Sequence, residues 1–108
     1  MEKFEVSAWN SGNLNYRSKS FGIRLKLKDR NLCFNETPKN VLLSIEGNDF
    51  FTVNLTQGFW NKCPEFKHLE IGLCFFENGM ISWEKENPPK FNLTKIDENK
   101  YLLKRFSI

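Results

Sequence analysis

Residues 59–79 read FWNKCPEFKHLEIGLCFFENG, and whether they form helix or strand decides the fold. Phe66, Leu69, Leu73 and Phe76 recur at helical spacing, while Leu69, Ile71, Leu73 and Phe75 alternate as a strand would. Periodicity ties, so end signals decide. Pro64 suits a first helical turn, where its missing N–H leaves no acceptor unserved. Glu65 follows at the positive end of the dipole, and Asn78-Gly79 is a helix stop. Gly72 argues the other way, at a cost of about 1 kcal/mol relative to Ala. The ends favour one helix near residues 64–78. Its main stripe is then Phe66, Leu69, Leu73 and Phe76, with Ile71 and Phe75 on the opposite side. Apolar on two sides, such a helix is covered by a sheet on one and by a loop or partner on the other.

The segments on either side read as strands. Residues 3–9 alternate, with Phe4, Val6 and Ala8 facing one way. Residues 21–28 alternate more sharply: Phe21, Ile23, Leu25 and Leu27 against Arg24, Lys26 and Lys28. Val41–Glu46 and Asp49–Leu55 flank Gly47-Asn48, a two-residue hairpin signal. Thr56 is placed to start a short turn through Trp60. After the helix, Met80–Trp83 is a brief extended piece, and EKENPP forces an irregular crossing because its prolines have no N–H to donate. Lys90–Ile96 and Lys100–Phe106 close the chain as a hairpin around Asp97-Glu98-Asn99. The expected fold is α+β, mainly β: a curved antiparallel sheet or open barrel of six to seven strands, with the one main helix over a face or an open end.

The 108 residues suit one domain, residues 1–108. A hydrophobic content of 40% with 15% aromatic residues fits a globular core and excludes a disordered chain. No apolar run approaches the roughly 18 residues of a membrane span. The first ten residues hold no apolar signal core. Three cysteines without framework spacing suit reduced thiols. The expectation is a cytoplasmic protein with no membrane partner. Three Asn-Leu-Thr or Asn-Glu-Thr triplets, at Asn35, Asn54 and Asn92, match the N-glycosylation pattern by composition alone.

No catalytic group, metal site or cofactor is expected. Cys63, His68 and Cys74 are spaced unlike any zinc pattern, and a structural site needs four ligands. A Cys–His nucleophile would need an orienting group that the surrounding sequence does not supply. Carboxylate neighbours such as Asp97 and Glu98 read as solvated charge, and the six glycines are too scattered for a phosphate loop.

Charge is the informative feature. The whole chain carries +3, yet residues 17–30 hold Arg17, Lys19, Arg24, Lys26, Lys28 and Arg30 against Asp29 alone. On a strand, Arg24, Lys26, Lys28 and Arg30 share parity, so their heads would stand about 6–7 Å apart on one face, a spacing fit for successive phosphates. Tyr16, Arg17 and Lys19 in the neighbouring polar loop would add stacking and contacts to phosphate or base edges. The expected function is a small non-enzymatic domain that contacts DNA or RNA. The alternative is a protein-interaction or homo-oligomeric module using Trp9, Trp60, Phe75 and Trp83. The bland reading of the cations is an edge strand protected from other sheets.

The order of these pieces loosely resembles the B3-like DNA-binding domains of plants and restriction enzymes. It runs from a strand ending at Lys28-Asp29 through Pro38-Lys39, a hairpin, a helix holding Phe75 and closing strands. The Gly-Trp that marks the helix start in that family is replaced here by Gly58-Phe59-Trp60, and the Gly-Asp after the helix is absent. The resemblance implies a curved barrel that presents basic loops to DNA.

Overall fold

Hydrogen bonding between strands far apart in sequence organises the protein, seen here in a computed structural model. The structure describes residues 2–11, 21–34, 39–61, 63–79, 83–84 and 86–105. Among these, the strands are β1 (Glu2–Asn10), β2 (Phe21–Arg24), β3 (Asn40–Ile45), β4 (Phe51–Asn54), β5 (Glu65–Lys67), β6 (Lys90–Asp97) and β7 (Lys100–Arg105). The helices are α1 (Leu27–Cys33), α2 (Gln57–Asn61) and α3 (Leu69–Glu77). One sheet runs β4-β3-β7-β6-β1-β2-β5. All pairs are antiparallel except β3 with β7, which are parallel. The sheet curls into a nearly closed barrel. At its seam Phe51 of β4 meets the His68 ring at 4.4 Å.

The α+β, mainly β architecture expected from the sequence is therefore present, with a mixed rather than purely antiparallel sheet. Inward residues alternate as pattern reading requires. Val6 and Ala8, Phe21 and Ile23, Val41, Leu43 and Ile45, Val53, Phe91 and Leu93, and Tyr101 and Leu103 are all buried. The turn after β3 is one residue earlier than expected. Glu46 and Gly47 take φ of 54° and 81°, and Asn48 N donates to Ile45 O at 3.0 Å, a type I′ geometry. A register shift between Lys95 and Asp97 bends β6 beside its hairpin with β7. Of the extended piece expected after the main helix, Met80, Ile81 and Ser82 lie outside the described residues.

Two of the sequence expectations are corrected. The strand expected over residues 21–28 ends at Arg24. Leu25 is still buried, and its N–H donates to Pro64 O at 2.9 Å. Lys26 is the extended N-cap of α1, and Leu27 is 54% exposed rather than inward. Lys28-Asp29, the strand end in the B3-like order, thus lies in the first turn of a helix, where Asp29 is favoured by the dipole. Of the rest of that order, Pro38 lies outside the described residues, and a hairpin, a helix holding Phe75 and closing strands follow in that sequence.

The main helix is also shorter than residues 64–78. Glu65–Lys67 is strand, drawn out by pairing with β2. His68 caps α3, its Nδ1 accepting from Glu70 N at 3.0 Å. The buried side of α3 is Ile71, Gly72 and Phe75, while Leu69 and Phe76 are exposed. Of the expected stripe, Leu69 and Phe76 thus lie on the outer side, Leu73 is half-buried, and Phe66 belongs to β5 and is fully buried. The helix is apolar on two sides, as the sequence implies, but the core takes the side with Phe75.

The barrel has aromatic plugs at both ends. α3 follows the end of β5 and closes the end where β2 begins. There Phe75 stacks on Phe91 (5.5 Å) and meets Phe21 edge-on (6.0 Å). α1 and α2 follow the ends of β2 and β4 and close the other end. There Phe34 stacks on Tyr101 (5.4 Å) and Phe59 on Phe66 (5.7 Å). Such ring pairs add about 0.5–1.5 kcal/mol each beyond area burial. Among the described residues no helix is long and apolar enough to cross a membrane.

Candidate nucleic-acid interface

The cations of residues 24–30 do not form a ladder, because the chain turns from strand to helix among them. Arg24 points outward from β2 and pairs with Glu65 of β5: its Nε donates to Oε2 at 2.8 Å, and Nη2 bonds the same oxygen. Lys26 and Lys28 are exposed around the start of α1. Arg30 is structural. Its Nη1 donates to the carbonyls of Phe59 (3.0 Å) and Trp60 (2.7 Å), so it ties α1 to the chain of α2, whose last carbonyls lack helical donors. Tyr16, Arg17 and Lys19 lie outside the described residues. The described residues on either side of that segment, Asn10 and Phe21, pair at the barrel end opposite α1. That pair and Lys26–Lys28 are thus separated by the length of β2, about 10–13 Å at strand rise.

The aromatic residues divide as well. Phe75 is fully buried and belongs to the core, so it presents no interface. Trp60 is half-buried and packs edge-on against Phe59 (4.9 Å) and Phe34 (6.2 Å). Trp83 is half-buried against Phe75. Trp9 is half-buried on the outer side of β1.

Sheet register brings residues of the two sequence hypotheses onto one wall. Trp9 pairs with Gly22, and Gly22 with Lys67. Lys90 pairs with Ser7, Ser7 with Arg24, and Arg24 with Glu65. Lys67 Nζ stands 4.7 Å from the Trp9 ring centroid, a cation–π contact, and 3.5 Å from Glu65 Oε1. Lys90 Nζ donates to Ser7 Oγ at 2.9 Å. Glu65, its side chain only 6% exposed, therefore holds two half-exposed cations at once. With Lys3 and Glu5 on the same outer face of β1, four cations stand against two carboxylates, which leaves this wall positive.

Beside it lies an open groove of about 680 Å³, lined by Ser7, Trp9, Asn10, Arg24, Trp83 and Pro88. Sequence reading names Arg24, Trp9 and Trp83 but misses Lys67 and Lys90, which supply charge on the wall beside the groove. Assigning 64–78 to helix hides Lys67. Read as strand, Glu65-Phe66-Lys67 puts Phe66 inward and both charges outward.

Cys63 is exposed and Cys74 half-buried, both free thiols. Burial first, then the carboxylates of Glu46 and Glu77, pushes the Cys74 thiol up from its ordinary range. Among the described residues no group of three or more His, Cys, Asp or Glu side chains is placed to hold a metal ion.

Comparison with protein-family models, with curated proteins and with solved structures finds no match.

Proposed function

We propose that this protein is a non-enzymatic binding domain that docks nucleic acid on the outer wall of β1, β2 and β5. The observation that carries the reading is the cross-strand clustering of Arg24, Lys67 and Lys90 around Trp9. Cations spaced across adjacent strands can meet successive phosphates, and each phosphate neutralised adds salt-dependent affinity. Lys26 and Lys28 extend the positive surface beyond Arg24, and Arg17, Lys19 and Tyr16 belong to the same proposal through their loop. A cytoplasmic location is part of this reading, since free thiols at Cys63 and Cys74 suit a reducing compartment.

The test is a salt titration of binding to DNA and RNA pools. Charge reversal at Lys26 and Lys28 is expected to weaken binding and to flatten the salt slope by about one unit for each phosphate no longer neutralised, with the thermal midpoint unchanged. Wild-type protein that ignores every oligonucleotide at low salt sinks the reading.

A second reading is protein docking or self-association. Leu69 and Phe76 favour it, since both are partly exposed on the outer side of α3. A sedimentation mass that doubles with concentration, without oligonucleotide binding, would support it.

A further inference from the structure

A surface that only gathers phosphates has no use for indoles, yet the groove on this wall is flanked by two. Trp9 and Trp83 both line it, Pro88 adds an apolar edge, and Arg24 enters from the side of β2. Lys67 lies over the Trp9 ring, and Arg24 is paired with Glu65. The groove therefore joins aromatic surface to a positioned cation. At about 680 Å³ it falls within the roughly 300–1,000 Å³ of sites that take a small organic group.

We infer that this groove receives an unpaired base of a single-stranded nucleic acid, stacked on Trp9 and Trp83, with the adjoining phosphate on Arg24. The inference rests on the nucleic-acid reading above and narrows it. A flat π-system bonded to an anion matches the indole–guanidinium pair in both chemistry and charge. In a duplex each base is already stacked between its neighbours, so the indoles would gain nothing. Base–aromatic stacking tolerates any sequence, so the site prefers single strands without reading a particular one.

The test compares a short oligothymidylate, an abasic sugar–phosphate strand of equal length and a duplex. The two single strands carry the same phosphates and differ only in bases. Wild-type protein is expected to bind the oligothymidylate about 5- to 150-fold tighter than the abasic strand, the span given by stacking one base. Trp9→Leu should sharply reduce that preference, and Trp9→Phe should retain most of it. Equal binding of both single strands by the wild type, needing no variant, overturns the stacking site while leaving phosphate docking intact. So does an undiminished preference in folded Trp9→Leu. Duplex bound as tightly as the single strand overturns the single-strand preference. Absence of salt-dependent binding to all three overturns the parent reading and this one with it.

Discussion

The ammonium of Lys67 stands over the ring of Trp9 at 4.7 Å although they are not neighbouring strand partners. Gly22 of β2 sits between them in register with both, and its missing side chain leaves the path open. Glycine is also required there sterically. A Cβ on Gly22 would lie 2.1 Å from the Phe66 carbonyl oxygen, and that backbone cannot yield without parting β2 from β5. Gly22→Ala is expected to destabilise the fold by about 2–3 kcal/mol, the upper range for overpacking. Urea denaturation measures this; a loss within 0.5 kcal/mol, about the scatter of surface substitutions, contradicts it.

Glu65 sets stability and affinity against each other. Its buried carboxylate anchors Arg24 and Lys67, both half-exposed, so the pairs are partly screened. Glu65→Gln should cost about 1–2 kcal/mol, less than the loss of a fully buried pair. The same change removes the negative charge that Arg24 and Lys67 share, so affinity for oligonucleotides should rise. A variant that loses stability and affinity together would mean that the carboxylate orders the wall more than it neutralises it.

Neighbouring phenylalanines on α3 should behave oppositely. Phe75 is fully buried against Phe21, Phe91 and Trp83, and Phe75→Ala is expected to cost about 3–5 kcal/mol. Phe76 is 46% exposed, and Phe76→Ala should cost well under half as much. Chemical denaturation of the pair decides which side of α3 faces the core, and equal losses would contradict the structure.

Cys74 should be the slow thiol. Burial and the nearby Glu46 and Glu77 keep it protonated to higher pH than an ordinary cysteine. Alkylation read by peptide mass spectrometry should label exposed Cys63 well before Cys74. The raised value also fixes a sign. Above the ordinary thiol range the unfolded chain has lost this proton while the folded one retains it, so stability falls as pH rises through that window. Cys74→Ala should lessen that alkaline loss, and an unchanged pH–stability curve would show that Cys74 does not contribute to it.

Much of the barrel was legible from alternation. The β3–β4 and β6–β7 hairpins, strand β1 and the mainly β class each follow from inward residues two apart between turn signals. The candidate wall was legible only in part. Arg24, Trp9 and Trp83 are conspicuous in the sequence, but nothing local joins Trp9 to Lys67, fifty-eight positions away, or makes Arg30 a cap for α2.

Which side chains seek the interior, and how often the chain must turn, is written in the order of residues, because burial of apolar groups imposes its period on them. Where β2 stops, which side of α3 turns inward and which cations meet are properties of the assembled barrel. Short segments satisfy periods of 2 and 3.6 equally well, and the tie is broken by partners distant in the chain: the Pro64 carbonyl for Leu25, β2 for Glu65–Lys67, and Phe91 and Phe21 for Phe75.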